Sequence, residues 1–255
     1  MKKFMGCFVF AMMCSSAPVM VEANEQGVIS KPNFKAMTDV KEKKQAFVDY
    51  MLPYIETVYL NTLKQRQNLQ TIADGFSQQE GLSKPQITFL VELAREYDVD
   101  MDVDDLKSAI DELLIKVNVV PVGLTLAQAA LESGWGTSRF ASQGNNYFGQ
   151  HCFTTGCGMI PTQRGKGQNF EVQVFNSPEG SIQSYYDMLN TGQNFTEFRD
   201  MRDKLSQNNQ ELTGKVLLEG LDRYSELPEG EYQKRVLSTM NYNNFCRYNN
   251  VIEDI

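Results

Sequence analysis

The residues best suited to chemistry lie in the stretch Leu131-Glu132-Ser133-Gly134-Trp135-Gly136. It follows Leu124 to Leu131, which is dense in Leu and Ala on every face, the composition of a helix buried on all sides. A glutamate in the last turn of such a helix meets two effects that raise its pKa. Burial disfavours the charged form, and so does the negative end of the helix dipole. A carboxyl that keeps its proton near neutral pH is what a general acid requires. The bland alternative is a salt-bridged or solvated glutamate at a helix end. Against it stands the neighbourhood: Trp135, the single tryptophan, lies three residues on, and shares the side of Glu132 if the helix continues. Gly134 and Gly136 leave room for a ligand to approach the backbone. Aromatic faces suit sugar rings, so the set reads as a saccharide cleft with Glu132 as its acid.

Other chemistries are poorly supplied. The one histidine, His151, has no partners at metal-ligand spacing, which removes zinc peptidases and amidases. His151 and Cys152 are sequence neighbours and point apart in most backbones, so they make a poor Cys-His pair. His151 therefore reads as a loop or packing residue. The chain carries 24 basic and 32 acidic side chains, a net charge of −8. Nucleic acid and anionic membrane surfaces need basic patches, so neither is an expected partner.

The chain opens with Met1-Lys2-Lys3, an apolar run from Phe4 to Met13 and then small residues, the pattern of a secretory signal peptide. The run is too short for a comfortable membrane span. Cleavage after Ala23 is expected, giving an exported periplasmic or cell-envelope protein with no stable membrane insertion. Lipidation at Cys14 is the alternative, but Met13 is not the small residue usually found before such a cysteine. Loss of Lys2, Lys3 and Glu22 leaves 22 basic and 31 acidic side chains, moving the net charge from −8 to −9. Of five cysteines, Cys152, Cys157 and Cys246 then remain. A disulfide between Cys152 and Cys157 would close the short Phe153-Thr154-Thr155-Gly156 loop in an oxidising compartment. Cys246 reads as a buried free thiol.

The elements that must position Glu132 are mostly helices. Residues 24–120 read as an N-terminal helical region and 121–255 as the domain that carries the chemistry. From Asn33 the chain turns helical, with Phe47, Met51, Ile55 and Val58 at helical spacing and Pro53 expected to kink or split the element. A loop from Gly75 to Pro85 follows. Ile87, Leu90, Val91 and Ala94 mark a second helix, and Leu106 to Val117 a third. Beyond the Glu132 helix, Met159–Gln163 and the alternating residues around Phe170, Val172 and Val174 suggest a β-hairpin about Gly165-Lys166-Gly167. Ser177-Pro178 starts another helix, with Ile182, Tyr185, Tyr186 and Leu189 on one face. Further helices fit Phe195–Lys204, Glu211–Glu219 with Gly220 as terminator, and Tyr232–Met240.

The string from Ala127 to Gly136, followed by Asn145-Asn146-Tyr147-Phe148-Gly149, resembles the glucosaminidase domain of glycoside hydrolase family 73, most closely its Bax-type exported branch. The resemblance extends over most of the mature chain, through Tyr224-Ser225-Glu226. It implies a mainly α (α+β) fold: a lysozyme-like helical core with a small β-hairpin lobe and an N-terminal helical extension. It implies hydrolysis of the β-1,4 bond between N-acetylglucosamine and N-acetylmuramic acid in peptidoglycan, with no metal or other cofactor, by a chain expected to be a monomer. Glu132 matches the family's catalytic glutamate. Tyr224 matches a tyrosine in the cleft, although the usual Tyr-Ala-Thr-Asp is here Tyr-Ser-Glu. Substrate-binding positions are implied at Gln128, Trp135, Asn145, Asn146 and Phe148, with Tyr147 where leucine is common.

The second catalytic group stays open at this level. Glu171 lies on the expected hairpin, opposite in direction to Phe170 and Val172, and either faces the cleft as a base or is a solvated strand residue. Glu226 is the other carboxylate candidate, and the substrate's own N-acetyl group, positioned by Tyr224, is a third route. Two different activities also fit the pattern: a lytic transglycosylase, and a non-catalytic peptidoglycan-binding protein.

Overall fold

The computed structural model describes residues 30–78, 81–162, 164, 165 and 167–249. The expected leader, 1–23, lies outside these residues, as do Gln163 and Lys166 of the expected hairpin. The described residues from Pro32 to Asn249 belong to one compact unit.

Helix α1 spans Val40–Ser77, and the Asp39 side chain caps it by accepting from the Glu42 amide at 2.8 Å. It starts later than Asn33 and runs past Gly75, and Pro53 sits inside it without splitting it. The proline gives up one backbone hydrogen bond, but Phe47, Met51, Ile55 and Val58 are buried on one face and hold both halves in place. Helix α2 spans Lys84–Glu96 behind a capping box of Ser83 and Gln86. Its buried face is Leu90, Leu93 and Ala94, whereas Ile87 and Val91, expected as part of that face, are exposed. Helix α3 spans Leu106–Lys116. The end of α1, α2 and α3 share a cluster around Leu69, Leu90, Leu93, Ile110 and Leu113.

Helix α4, Val122–Ser133, is enclosed along most of its length, packing against α1, α8 (Gly214–Leu217), α9 (Glu231–Tyr242) and the turn Phe245–Tyr248. Helix α5, Arg139–Gly144, leads into a three-stranded sheet of β1 (His151–Cys152), β2 (Gly158–Met159) and β3 (Glu171–Gln173). The order is β1-β3-β2, both pairs antiparallel, with His151 and Met159 each opposite Val172. The expected hairpin is thus β2 with β3, and β1 adds a second edge. Helix α6, Pro178–Thr191, begins at its Ser177 cap and packs on α1, and α7 spans Thr196–Gln207. The helix expected over Glu211–Glu219 is instead the short α8 followed by tighter turns through Tyr224. Gly220 does not terminate it: a Cβ there would come within 2.6 Å of the Phe198 backbone, so the glycine lets these turns lie against α7. The whole is mainly α with a small sheet, a lysozyme-like arrangement.

Two arginines fasten the C-terminal end of α3 to α1 and α7. The last carbonyls of a helix have no partners within it and carry its negative end. Here Arg66 of α1 donates to the Leu114 and Val117 carbonyls at 2.8 Å, and Arg202 of α7 donates to those of Ile115, Lys116, Asn118 and Val119 and to Asn190 Oδ1. Arg202 is fully buried, and desolvation lowers its pKa to about 9. Arg202→Leu leaves the Ile115, Lys116 and Val119 carbonyls without their donor at about 1 kcal/mol or more each. A loss of at least about 3 kcal/mol, roughly 6 °C or more in melting temperature, is the expected result of thermal unfolding.

Candidate active site

Glu132 occupies the last turn of α4, where the enclosed helix first meets solvent. It is accessible, yet protein surrounds it closely enough that desolvation raises its pKa; a hydrogen bond from Tyr232 opposes the rise.

The hydrogen bonds behind it run one way. The Tyr185 hydroxyl donates to Gln128 Oε1, Gln128 Nε2 donates to the Tyr232 hydroxyl at 2.7 Å, and Tyr232 donates to Glu132. Because Gln128 presents its amide nitrogen to Tyr232, the tyrosine's own proton is free for the carboxylate. Burial holds the Tyr232, Tyr185 and Tyr224 hydroxyls well above their ordinary pKa, so they remain donors. Tyr224 stacks on Tyr232 with ring centroids 5.1 Å apart and reaches the Phe148 carbonyl at 3.4 Å. Phe148 stacks on Tyr185 at 4.2 Å.

Glu132, Gln128, Tyr224 and Phe148, named from the sequence, therefore meet in one cluster, to which the structure adds Tyr185 and Tyr232. Gln128 is fully buried and both ends of its amide are engaged, so it orients the tyrosines and does not reach a sugar. Phe148, at 4 % exposure, is wall rather than surface. Buried tyrosines need partners for their hydroxyls, and a glutamine inside an apolar helix was the available signal for Tyr185 and Tyr232.

Trp135 goes elsewhere. The helix does not continue past Ser133: Gly134, Trp135 and Gly136 have φ of 57°, 58° and 75°, a left-handed run that reverses the chain. The turn is fastened by Trp135 N–H to the Ala130 carbonyl at 2.8 Å and Gly136 N–H to Ser133 Oγ at 2.9 Å. The indole then packs against Phe47 and Phe245, with the Lys44 ammonium over its ring. The expectation that it shares Glu132's side depended on a helical turn that the glycines end.

Asn145 is the left-handed cap of α5 and donates to the Phe175 carbonyl. Asn146 donates to the Gln150 and Gln173 carbonyls and accepts from the Gly149 and Gln150 amides. Its two donors and its oxygen's two lone pairs are used, so it fixes the loop and has nothing left for a sugar. His151 stacks on Phe170 at 4.0 Å. Cys246 is exposed, not buried as expected, because the turn that carries it points Phe245 inward instead.

Cys152 and Cys157 are joined as a disulfide. On either side of Cys157, the Gly156 amide at 3.0 Å and the Gly158 amide at 2.8 Å donate to the Glu171 carboxylate. Those two bonds hold its carboxyl below the usual range, with Arg164 adding a smaller pull. The thin loop shields it from solvent without surrounding it deeply. A carboxyl whose folded pKa is depressed stabilises above its unfolded pKa, and that contribution is lost as pH falls through the folded value. Glu171→Gln, which removes the charge, should speed amide exchange at Gly156 and Gly158 by about tenfold or more; wild type should approach the variant as acid protonates the carboxyl.

Residues 107–252 match the family model described as glucosaminidase, mannosyl-glycoprotein endo-beta-N-acetylglucosaminidase. Protein bax of Escherichia coli (strain K12) is 29% identical over 197 residues, covering 77% of this chain and 68% of that protein. No solved structure matches. The family match takes in more than half of the chain and includes Glu132, Glu171, Tyr224 and Tyr232. The chain belongs to the glucosaminidase family, as a Bax-type member.

Proposed function

We propose that the protein is a peptidoglycan hydrolase, an endo-β-N-acetylglucosaminidase that cleaves the β-1,4 bond between N-acetylglucosamine and N-acetylmuramic acid in the cell envelope after export. The observation that carries the reading is an accessible glutamate in a glycosidase family, its pKa raised by desolvation and its carboxylate met by a fixed donor, Tyr232. Glu132 protonates the leaving oxygen, and the Tyr232 hydrogen bond stabilises the carboxylate left behind. Tyr224 borders the reacting sugar. The second role falls either to Glu171, held ionised by its two backbone amides while the surroundings of Glu132 favour the proton, or to the substrate's own N-acetyl group. A glycan strand is the partner, and the N-terminal helices serve as a packed extension of a monomeric catalytic unit.

Product analysis on purified peptidoglycan tests the assignment. Wild type should release reducing N-acetylglucosamine ends; anhydro products would mark a lytic transglycosylase, and binding without new ends a non-catalytic protein. Glu132→Gln keeps the shape and removes the proton, so lytic activity should fall by about 10²–10⁴ with unchanged thermal unfolding. A folded, active Glu132→Gln protein sinks the proposal. For Glu171→Gln a loss above about tenfold supports the base, and a smaller one leaves that role to the substrate's N-acetyl group.

Tyr232→Phe removes the one donor that lowers the Glu132 pKa, so that pKa should rise further. General-acid activity is lost as pH climbs through it, so the falling alkaline limb of the pH–rate profile should move to higher pH. The rate at the plateau should drop by about tenfold, the worth of a hydrogen bond to a charged group. An unmoved alkaline limb would remove Glu132, or its bond to Tyr232, from the mechanism.

A further inference from the structure

A second recess, of about 400 Å³, opens between the start of α1 and the end of α9. Its polar lining is Lys41, Lys44, Gln45, Asn243 and Arg247, with the rings of Trp135 and Tyr242. In a chain of net charge −8, three cations and no carboxylate line this one space. Asp39 and Glu42 belong to the same end of α1 but do not line it. Among the described residues, none of the three cations forms an ion pair.

Two of the cations, Lys44 and Arg247, are held in place by rings instead of by acids. The Lys44 ammonium lies 4.6 Å from the centroids of both Trp135 and Tyr242 and donates to Asn243 Oδ1 at 3.2 Å. Arg247 lies 4.7 Å over the Tyr248 ring and donates to its hydroxyl at 2.6 Å. Rings that neutralise nothing keep the full positive charge available, and gathering like charges costs free energy that an anion would recover. Tyr242 is 82 % exposed, so one of its faces is open to a ring-shaped ligand.

We infer that this recess is a second glycan-binding site, taking a carboxylate-bearing sugar of the wall polymer, the acid on Lys41, Lys44 and Arg247 and the sugar ring on the open face of Tyr242. The inference rests on the peptidoglycan reading for its polymer but not on Glu132, whose hydrogen-bonded partners lie in a different cluster. Two sources present the carboxylate: the lactyl group of bare muramic acid, and the free acids of stem peptides. A site of this kind would hold one stretch of strand while Glu132 works on another.

The test is calorimetric binding to the full mature chain carrying Glu132→Gln, so that the probes stay intact. The probes are strands stripped of stem peptides, strands that keep them, and chitooligosaccharides of matched length that lack any carboxylate. Either muramic-acid probe should bind, and Lys41→Ala with Arg247→Ala should weaken that binding by about tenfold or more, the scale of charge-assisted contacts. Tyr242→Ala, at a surface position that should fold normally, should weaken it independently. Chitooligosaccharide binding should not respond to the lysine and arginine changes. Equal affinity in the variants, an equal loss with the carboxylate-free probe, or complete displacement by millimolar inorganic phosphate would each overturn the inference. Because the readout is binding in a background without the acid, wild-type product analysis judges the catalytic reading separately.

Discussion

Helix α4 touches water only near its end, and that constraint organises the structure around it. Inside such a helix each polar side chain must find a partner, since an unpaired buried group costs about 1–3 kcal/mol. Thr125 donates back to the Pro121 carbonyl and Ser133 to that of Ala129. Gln128 is too long to satisfy itself on its own helix and recruits Tyr185 from α6 and Tyr232 from α9. Those bonds fix two helices against α4, and the series they form can discharge only where the helix reaches solvent, at Glu132. Packing, polar satisfaction and chemistry are thus one arrangement.

The turn after α4 divides the surroundings of Glu132 from those of Trp135. A tryptophan at φ 58° is strained, by about 1–3 kcal/mol for such a position. The strain is offset by the hydrogen bonds of the turn and by burying the indole between Phe47 and Phe245. Gly136 cannot carry a side chain, since a Cβ would lie 2.4 Å from the Phe34 ring. The same sharp reversal that ends the helix at the acid therefore also anchors the start of α1.

What the sequence disclosed follows from how local each signal is. The enclosed helix, its glycine stop, the Ser177 cap and the loop disulfide depend on neighbouring residues, and each is where its residues predict. The lysozyme-like fold was legible through a ten-residue string, and the family match and the helices agree with it. Partners distant in sequence were not legible. Gln128 to Tyr232 spans 104 residues and Tyr185 to Gln128 spans 57; a glutamine inside an apolar helix announces that partners are needed, but nothing along the chain says which. Trp135 was misplaced because helical spacing was extended through two glycines. Asn146 was read as a sugar contact because an asparagine in a loop carries no mark of whether its amide faces a ligand or, as here, four groups of its own backbone.

On the proposed mechanism, the two carboxylates diverge for unrelated physical reasons, and this decides how the site tolerates change. Glu132 is raised by the bulk of protein around it, a diffuse cause to which many residues contribute. Glu171 is lowered chiefly by two backbone amides, Gly156 inside the disulfide-closed loop and Gly158 at the start of β2. An acid needs its proton and a base must lack one, so the working range lies between the two pKa values. Substitutions in the cleft wall move its alkaline edge gradually, because each removes a little of the desolvation. The acid edge depends chiefly on two amides, those of Gly156 and Gly158 on either side of Cys157. The alkaline edge is therefore the buffered one, and the acid edge the one set locally.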